Sequence, residues 1–412
     1  MTIKQIRNEN ILIFFMLIFV FQRFLEGVFP FASYIDELPT LIAIIIVLIK
    51  LFKDGRLRIS KESRKNAILL VCFVTAGLMG NFLYRYQNID IVVVDLFTNV
   101  KFFLTIYLFV NFFYVDIRKF KQVPRVAKFL SLFIFFLFIV ERFTDFFPCS
   151  EYRYGIKPAV LFFGHPTYLA GCCAFLISVL AFYDLNKNIW FIVINLIIMV
   201  FTLRSKSVAA VFAFLFLFIV VYKMHSKFKL WQILVLAIIA IGVAWNQIYF
   251  YFILLDERSA RAVMLTTSFR VMQDYFPFGT GFGTYGSHGA SVNYSKVYEI
   301  YGFDSIYELR NSTEGTFFDD HFWPIIFGQT GVIGTIFYLI SLAFYFLRVQ
   351  KLRVYNLKSY FTSLYIFAFL LISSTAEPAF NNSISVPLAM MLGLILNRHN
   401  RNYASVNSSE KQ

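Results

Sequence analysis

The sequence predicts an all-α polytopic membrane protein, and composition, the length of the apolar runs and the placement of charge all support this class. Hydrophobic residues make up 59% of the 412 positions and charged residues 15%, whereas soluble domains are nearer half apolar and a quarter charged. The apolar runs are continuous and long enough to cross a bilayer as helices. They do not show the short alternating segments of a transmembrane β-barrel.

The apolar runs predict about twelve spans of roughly 17–25 residues each, within one membrane domain over 1–412. Their centres lie near residues 17, 44, 75, 103, 135, 171, 196, 214, 240, 335, 368 and 390. The first run continues to Phe21 without a small-residue cleavage site, so we expect it to remain as the first helix.

The basic loops all follow even-numbered spans, namely the second, fourth, eighth, tenth and twelfth, in 53–65, 118–128, 223–229, 348–358 and 398–401. Because basic loops stay on the cytoplasmic side, this alternation predicts that both termini are cytoplasmic. These loops hold most of the lysines and arginines behind the net charge of +14. No basic groove with interleaved aromatic residues lies outside the apolar runs, so we do not expect nucleic acid as a partner.

The predicted opposite side carries one large polar segment, 251–318. We expect a folded external loop rather than a linker, because Phe, Tyr, Met and Leu occur throughout it. Its glycines follow Pro277 at Gly279, Gly281, Gly283, Gly286 and Gly289. The C-terminal residues 403–412 are polar and are predicted to form a disordered cytoplasmic tail.

Arg204 and Lys206 lie in the short turn TLRSKS between the seventh and eighth spans. A planar guanidinium matches the oxygens of a phosphate, so Arg204 is a candidate anion-binding residue with Lys206 beside it. The alternative is that both side chains extend to the lipid headgroups. Cations on this side run against the positive-inside bias, which favours a functional role.

Three further arginines, Arg258, Arg261 and Arg270, lie within the stretch DERSARAVMLTTSFR. At helical spacing Arg258 and Arg261 share a face. We predict that this segment binds substrate through its arginines. The alternative is a solvated interfacial helix in which Arg258 pairs with Asp256 or Glu257.

The run DDHFWPIIFGQTGVIG begins a late span. His321 lies near the start of its helix, where it can act as a general base or orient a hydroxyl group. Asp319 and Asp320 suit the positive end of the helix dipole and can cap it. The pair could instead hold a divalent cation, but no third carboxylate stands close in sequence, so we predict no metal site.

His165 opens the sixth span within FGHPTYLAG, again on the predicted outer side. A histidine in that place is either structural or part of the same site. Arg23 and Glu26 are three residues apart and are expected to form a local ion pair. Asp95 and Lys101 lie in the fourth span, too far apart on one helix to pair with each other.

The polar clusters at His165, Arg204, Arg258–Arg270 and Asp319–His321 are far apart in sequence, yet all fall at the predicted outer ends of spans. A transporter is expected to place its polar residues near the bilayer midplane, on broken helices. The clusters therefore favour an enzyme that acts on a lipid-linked substrate from outside. A flippase or exporter of such lipids is the alternative.

The stretches FGHPTYLAG, TLRSKS, RSARAVMLTTSFRVMQDYFPFGTGFGTYGS and DDHFWPIIFGQTGVIG resemble the O-antigen ligase and polysaccharide polymerase superfamily. They are most similar to its capsular and exopolysaccharide polymerases, over 155–345. The resemblance implies a glycosyltransferase C-like fold in a bacterial cytoplasmic membrane, with the active site facing outside. It also implies an undecaprenyl-diphosphate-linked oligosaccharide as donor, and no nucleotide sugar, metal or other cofactor.

Matched by motif, the resemblance implies that Arg204 and either Arg261 or Arg258 bind the diphosphate, and that His321 assists the acceptor hydroxyl. The turn has Leu-Arg-Ser-Lys where the family more often has Ser-Arg-Gly, which leaves the role of Lys206 open. Further candidate substrate-binding residues are Arg270, His165, Asp319 and Asp320.

The resemblance and the loop composition lead to three more expectations. The glycines of the outer loop are expected to let it close over the sugars. Beside the lipid bilayer, flippase and chain-length regulator proteins are the expected partners. A ligase that transfers the glycan to a different acceptor uses the same chemistry, and the sequence does not separate it from a polymerase.

Overall fold

The computed structural model describes residues 9–54, 61–113, 121–144, 146–147, 149, 151–255, 259–310 and 317–397. Helices account for the regular structure in these ranges, apart from an isolated bridge between Arg153 and Ile156. The predictions made for Arg258, for its partners Asp256 and Glu257, and for the tail 403–412 lie outside the described residues.

The long apolar runs form most of the helices, and the segment 251–318 forms the rest. In chain order the helices are α1 (Glu9–Val28), α2 (Leu38–Asp54), α3 (Lys61–Tyr84), α4 (Ile89–Phe112), α5 (Gln122–Phe143), α6 (Pro166–Asp184), α7 (Ile189–Phe201), α8 (Ser205–Phe218), α9 (Leu230–Ile248), α10 (Ala260–Asp274), α11 (His288–Val292), α12 (Lys296–Ile300), α13 (Phe322–Tyr355), α14 (Leu357–Ser373) and α15 (Ser385–Leu396). Every predicted span centre lies within one of the helices α1–α9 or α13–α15.

Six helices in the described part of the chain are long and apolar enough to cross a membrane: α3, α4, α5, α6, α13, and α8 with its continuation to Lys223. Helices α7, α14, α15 and the central part of α9 are apolar but shorter. The all-helical class is therefore confirmed, and the long apolar helices are those of a multi-pass membrane protein. The number of about twelve spans stays a prediction.

Helix α13 lies at the centre of the packing. It packs against α3 and α10, while α15 packs against α4, and α14 against α6 and α8. Tyr338 of α13 contacts the rings of Phe103, Phe322 and Phe380. Because large buried rings contribute much of the apolar area in a core, this junction holds α4, α13 and the α14–α15 connection together.

Helix α13 is interrupted at Gly331, whose φ of 59° and ψ of −159° are not helical. The segment 277–283 fills this break. The amides of Thr280 and Gly281 donate to the carbonyl groups of Gly328 and Gln329 at 3.0 and 2.9 Å. Irregular backbone at membrane depth must have its polar groups paired by protein, and this segment supplies those partners.

The glycines of the segment 277–283 allow its backbone to lie close to the backbone of neighbouring helices. Residues 279–287 are buried, and a side chain at Gly281 would come within 2.5 Å of the backbone nitrogen of Asn81. The amide of Phe282 donates to Asn81 Oδ1 at 2.7 Å, and that of Gly283 donates to Asp95 Oδ2 at 2.7 Å. The structure corrects the expectation that these glycines let the loop move, since they are wedged between α3, α4 and α13.

The rest of the segment 251–318 is folded where it is described. It forms α10, α11 and α12 around a small core of its own, in which Tyr285, Tyr298, Phe303 and Phe318 pack together. Tyr298 stacks on Phe318 with ring centroids 4.3 Å apart. This core joins the outer segment to the start of α13. That the segment is external stays a prediction.

Helix ends that the sequence assigns to one side of the membrane meet at one end of the bundle. The starts of α6, α8 and α13 and the α14–α15 connection surround a single cavity. At the other end, ion pairs join Lys351 of α13 to Glu62 of α3, and Lys358 of α14 to Asp184 of α6. The alternation of helices agrees with the sequence, and which end is cytoplasmic stays a prediction.

Candidate active site

A cavity of about 590 Å³ lies where these helix starts meet, and we name it the cation cavity. Segments far apart in sequence supply its wall: the 151–168 region, the α7–α8 turn, the end of α9, the start of α10, the segment before α13, and the α14–α15 connection. Its charged and imidazole groups come from Glu151, Arg153, His165, Arg204, Lys206, Arg261, Asp319, Asp320 and Glu377. The fold thus brings most of the predicted site residues into one place.

Arg204 lies between α7 and α8, where the chain reverses within a few residues. Leu203 has a φ of 52° and Arg204 has extended backbone at the N-cap of α8, so the turn directs the arginine into the cavity. Its Nη2 donates to Glu151 Oε2 at 2.9 Å and lies 3.0 Å from His165 Nε2. Its Nε is buried without a hydrogen-bond partner in the described part of the chain.

His165 is the N-cap of α6, and its Nδ1 accepts a hydrogen bond from the amide of Thr167 at 3.3 Å. Burial, and then the charges of Arg204 and Lys206, lower the pKa of His165 to about 4. A neutral imidazole has one N–H and one free lone pair, so it cannot accept from both Thr167 and Arg204. Arg204 is therefore left with donor capacity that an anion in the cavity can use.

Lys206 lies in the first turn of α8 and pairs with Glu377 at 3.1 Å. Both side chains are 11% exposed. Burial raises the pKa of Glu377, and the nearby ammonium of Lys206 opposes that shift. Because removing one partner of a buried pair leaves the other uncompensated, this ion pair ties α8 to the α14–α15 connection.

Arg261 lies in the first turn of α10. Its Nε and Nη2 both donate to Asp320 Oδ2, at 3.1 and 3.0 Å, and its guanidinium lies 4.6 Å from the ring centroid of Tyr251. Asp320 is thus engaged with an arginine across the cavity wall and does not cap α13. The N-cap of α13 is His321, whose side chain makes no capping bond, which corrects the interpretation of the aspartates as caps.

His321 is 8% exposed and is not among the residues that line the cation cavity. Burial, and then the positive charge of Arg261, lower the pKa of His321 to about 4. Its ring is therefore neutral at neutral pH, behind the wall that Arg261 and Asp320 form. The prediction that His321 assists an acceptor hydroxyl stays a prediction.

Arg270 is a second predicted site residue that does not line the cation cavity. It lies on α10, nine positions after Arg261, which is half a helical rotation away. Its side chain is exposed and does not line the cation cavity. In the described ranges, no group of three or more His, Cys, Asp or Glu residues is arranged to hold a metal ion.

Glu151 and Arg153 were not predicted, and they complete the charge balance of the cavity. Arg153 lies 3.4 Å from Glu151, which also pairs with Arg204. Partial burial disfavours the charged carboxylate, but the two guanidinium groups outweigh it and lower the pKa of Glu151. The available signal was an acid and a base two residues apart in the polar stretch between the fifth and sixth predicted spans.

Arg204 and Arg261 can bind an anion if it replaces the carboxylates with which they are now paired. Glu151 is 48% exposed and Asp320 is 33% exposed, and ion pairs at such exposure are worth about 0–1 kcal/mol. A phosphate group can therefore replace these carboxylates on Arg204 and Arg261 at little cost. Arginine offers two parallel donors to such a group, which lysine cannot do.

Fold and site together define the class: a multi-pass helical membrane protein with a polar, arginine-lined cavity at the ends of its helices. No protein-family model matches the sequence, and no curated protein matches it significantly.

Proposed function

We propose that this protein is a glycosyltransferase of a bacterial cytoplasmic membrane that polymerises undecaprenyl-diphosphate-linked oligosaccharide repeat units at the outer leaflet. The product is a capsular, O-antigen or exopolysaccharide chain. The motif resemblance supports the substrate class, and the cation cavity supports the chemistry. Flippase and chain-length regulator proteins are the proposed partners.

One observation carries the proposal: Arg204, Lys206 and Arg261 converge on one cavity at the ends of apolar helices. A lipid diphosphate has its anionic group at the membrane surface, beside its own hydrocarbon chain. A cavity with arginines at the ends of membrane helices matches both parts of such a molecule. No metal is required for this recognition, because guanidinium groups can offset the diphosphate charge.

In the proposed reaction, the arginines act where negative charge develops on the donor. Arg204 and Arg261 hold the donor diphosphate and stabilise the negative charge that grows on its bridging oxygen as the glycosyl bond breaks. The acceptor hydroxyl attacks the anomeric carbon and loses its proton to a base. The chain then lengthens by one repeat unit, and the energy comes from cleavage of the glycosyl–diphosphate bond.

A ligase is the nearest alternative, since it differs in the acceptor and not in the donor site. Lipid-linked intermediates in a deletion strain separate the two. Single repeat units accumulate if the protein is the polymerase, because no chain is built. Long lipid-linked chains accumulate if it is a ligase, because polymerisation proceeds and transfer does not.

A flippase is the second alternative, and one structural feature favours it. Asp95 and Lys101 of the α4 span line a second cavity, and α13 is broken at Gly331; both features are typical of transporters. A fluorescent lipid-linked oligosaccharide in proteoliposomes tests this directly. Protein-dependent transfer between leaflets without chain growth would replace our proposal with the flippase.

The decisive experiment supplies a deletion strain with wild-type protein, Arg204→Ala or the control Arg270→Ala at matched membrane levels. We expect wild type and Arg270→Ala to restore long surface polysaccharide. We expect Arg204→Ala to leave single lipid-linked repeat units. Normal chain length in the Arg204→Ala strain would remove the cation cavity from the reaction and with it the proposal.

A further inference from the structure

A second cavity of about 490 Å³ adjoins the cation cavity, and we name it the acidic cavity. It extends from the segment before α13 to the middle of α4. Its charged and imidazole groups come from Arg23, Glu26, Asp36, Glu37, Asp90, Asp95, Lys101, His288 and Asp319. The two cavities share Tyr168, Asp319, Pro378 and Asn382 as a common wall.

The two cavities differ in charge. The cation cavity has as many basic side chains as carboxylates, whereas carboxylates outnumber the fixed cations in the acidic cavity. Both cations there are already paired, Arg23 with Glu26 at 2.6 Å and Lys101 with Asp36 at 2.8 Å. A second diphosphate would be repelled here. A hydroxyl-rich ligand without negative charge would find hydrogen-bond acceptors.

A buried polar atom in the acidic cavity also lacks a partner. Asn381 is 8% exposed and lines this cavity. Its Nδ2 donates to Asn99 Oδ1 at 3.1 Å, while its Oδ1 has no hydrogen-bond partner in the described ranges. Leaving a buried acceptor unpaired costs about 1–3 kcal/mol. A hydroxyl donor bound beside Asn381 would recover that energy.

Asp319 stands on the common wall, and its surroundings differ from those of Asp320. Asp320 accepts two hydrogen bonds from Arg261. The side chain of Asp319 has no ion pair or hydrogen bond to another described side chain, although His288 lies close enough to act on it electrostatically. Its carboxylate is therefore available to a ligand that reaches the junction of the two cavities.

We propose that the acidic cavity binds the sugar end of the acceptor glycan, uncharged or cationic, and that Asp319 is the catalytic base that removes the proton from the attacking hydroxyl. This inference rests on the proposed function and adds the acceptor site and the base to it. It assigns to Asp319 the proton transfer that the motif resemblance assigned to His321. The donor occupies the cation cavity on the other side of the common wall.

The proposed reaction is a single displacement at the anomeric carbon. The acceptor O–H bond breaks, and its proton goes to a carboxylate oxygen of Asp319. The oxygen forms a bond to the anomeric carbon, while the bond from that carbon to the phosphate oxygen breaks and its electron pair leaves with the lipid diphosphate. Asp319 then releases its proton to water.

The environment of Asp319 makes its carboxylate a stronger base than an exposed aspartate. Burial raises its pKa above the ordinary range, His288 of α11 opposes this, and Asp320 adds to it. Tyr168 of α6 and Tyr298 of α12 also face it, close enough to interact electrostatically with its carboxylate. A carboxylate with a raised pKa accepts a proton more readily than an ordinary aspartate does.

The experiment uses purified full-length protein in nanodiscs, with lipid-linked oligosaccharide extracted from a deletion strain as substrate. Chain elongation is measured from pH 5 to 8, and inhibition by inorganic pyrophosphate reports on the cation cavity. We expect Asp319→Asn to lower kcat roughly 100- to 1,000-fold, as for loss of a general base, and to keep the inhibition constant for pyrophosphate. We expect Asp319→Glu to recover part of kcat, and Asp320→Asn to change the donor KM more than kcat.

Wild-type kcat should fall as the pH drops through the raised pKa of Asp319. Wild-type kcat in Asp319→Asn, or an acid limb that this variant keeps, would overturn the inference. Weaker pyrophosphate inhibition in Asp319→Asn would also overturn it, since the residue would then act on the donor. If wild-type protein elongates no chain at all, the proposed function itself fails, which is a separate result.

Discussion

The cation cavity and the glycine-rich segment 277–283 differ in how far their polar groups are already paired within the protein. In the glycine segment the amides of residues 279–283 donate hydrogen bonds at 2.7–3.0 Å, and a side chain at Gly279 or Gly281 would overlap neighbouring backbone. In the cation cavity several pairs are partly exposed, and Arg204 keeps an unpaired nitrogen. The more recognisable motif is therefore structural, and the proposed chemistry depends on charged residues that are scattered along the chain.

Adding a methyl group to the glycine segment tests whether its close packing stabilises the fold. Gly281 has a φ of 100°, and a Cβ there would lie 2.5 Å from backbone and side-chain atoms of Asn81. Strain and overlap together should make Gly281→Ala less stable by about 2–5 kcal/mol. The measurement is the thermal midpoint in detergent, together with membrane yield.

The matched control is Gly302→Ala. Gly302 has a φ of 70° but nothing within 4 Å of its Cβ position, so only the backbone strain of about 1–2 kcal/mol remains. Equal losses in the two variants would show that close packing of the segment contributes nothing.

The cation cavity should respond in activity and not in stability. Arg261→Ala removes a group that we propose holds the departing diphosphate, so elongation should fall roughly 100- to 1,000-fold. The thermal midpoint should change little, because the Arg261–Asp320 pair is partly exposed. Arg270→Ala, on the same helix, should leave the elongation rate unchanged. A similar loss in both variants would mean that α10 acts as a unit and not through Arg261.

Asp95 is a charged residue that binds the glycine segment, so its replacement should affect stability. It accepts hydrogen bonds from the amide of Gly283 at 2.7 Å and from Asn99 Nδ2 at 3.0 Å. Asp95→Ala would leave the amide of Gly283 unpaired and should cost about 1–3 kcal/mol of stability. The exposed Asp90, one turn earlier, is the control, and Asp90→Ala should shift the thermal midpoint by less than half as much.

The smallest expected effect is the pH dependence of stability that His321 contributes. Its pKa is about 4 in the folded protein and about 6.5 when unfolded. The unfolded chain therefore binds the proton first, and stability is lost as the pH falls below 6.5. Between pH 6.5 and 5.5 the loss should be about 1 kcal/mol.

The thermal midpoint at these two pH values, compared with that of His321→Gln, measures this contribution. The glutamine variant should lose less stability between pH 6.5 and 5.5 than the wild type. The control His225→Gln changes an exposed side chain and should keep the wild-type slope. An unchanged slope in His321→Gln would mean that its ring gains no proton on unfolding.

Sequence reasoning placed every long helix, because a bilayer demands continuous apolar runs and these are visible in one dimension. The ion pair between Arg23 and Glu26 was predicted for a similar local reason, since residues three apart share a helix face, and it is confirmed at 2.6 Å. The partners of Lys101 and Lys206 were not predictable, because Asp36 and Glu377 lie far away in sequence.

By itself, then, the sequence determined the all-helical membrane class, the alternation of helix ends, and the residue types of the site, all of which depend on local composition and spacing. Only the tertiary structure decided that Arg270 faces away, that His321 lies behind the wall, and that Asp319 stands between two cavities. These facts depend on the rotation and packing of α10 and α13 against their neighbours. Such packing is a property of many distant residues together, and no local pattern contains it.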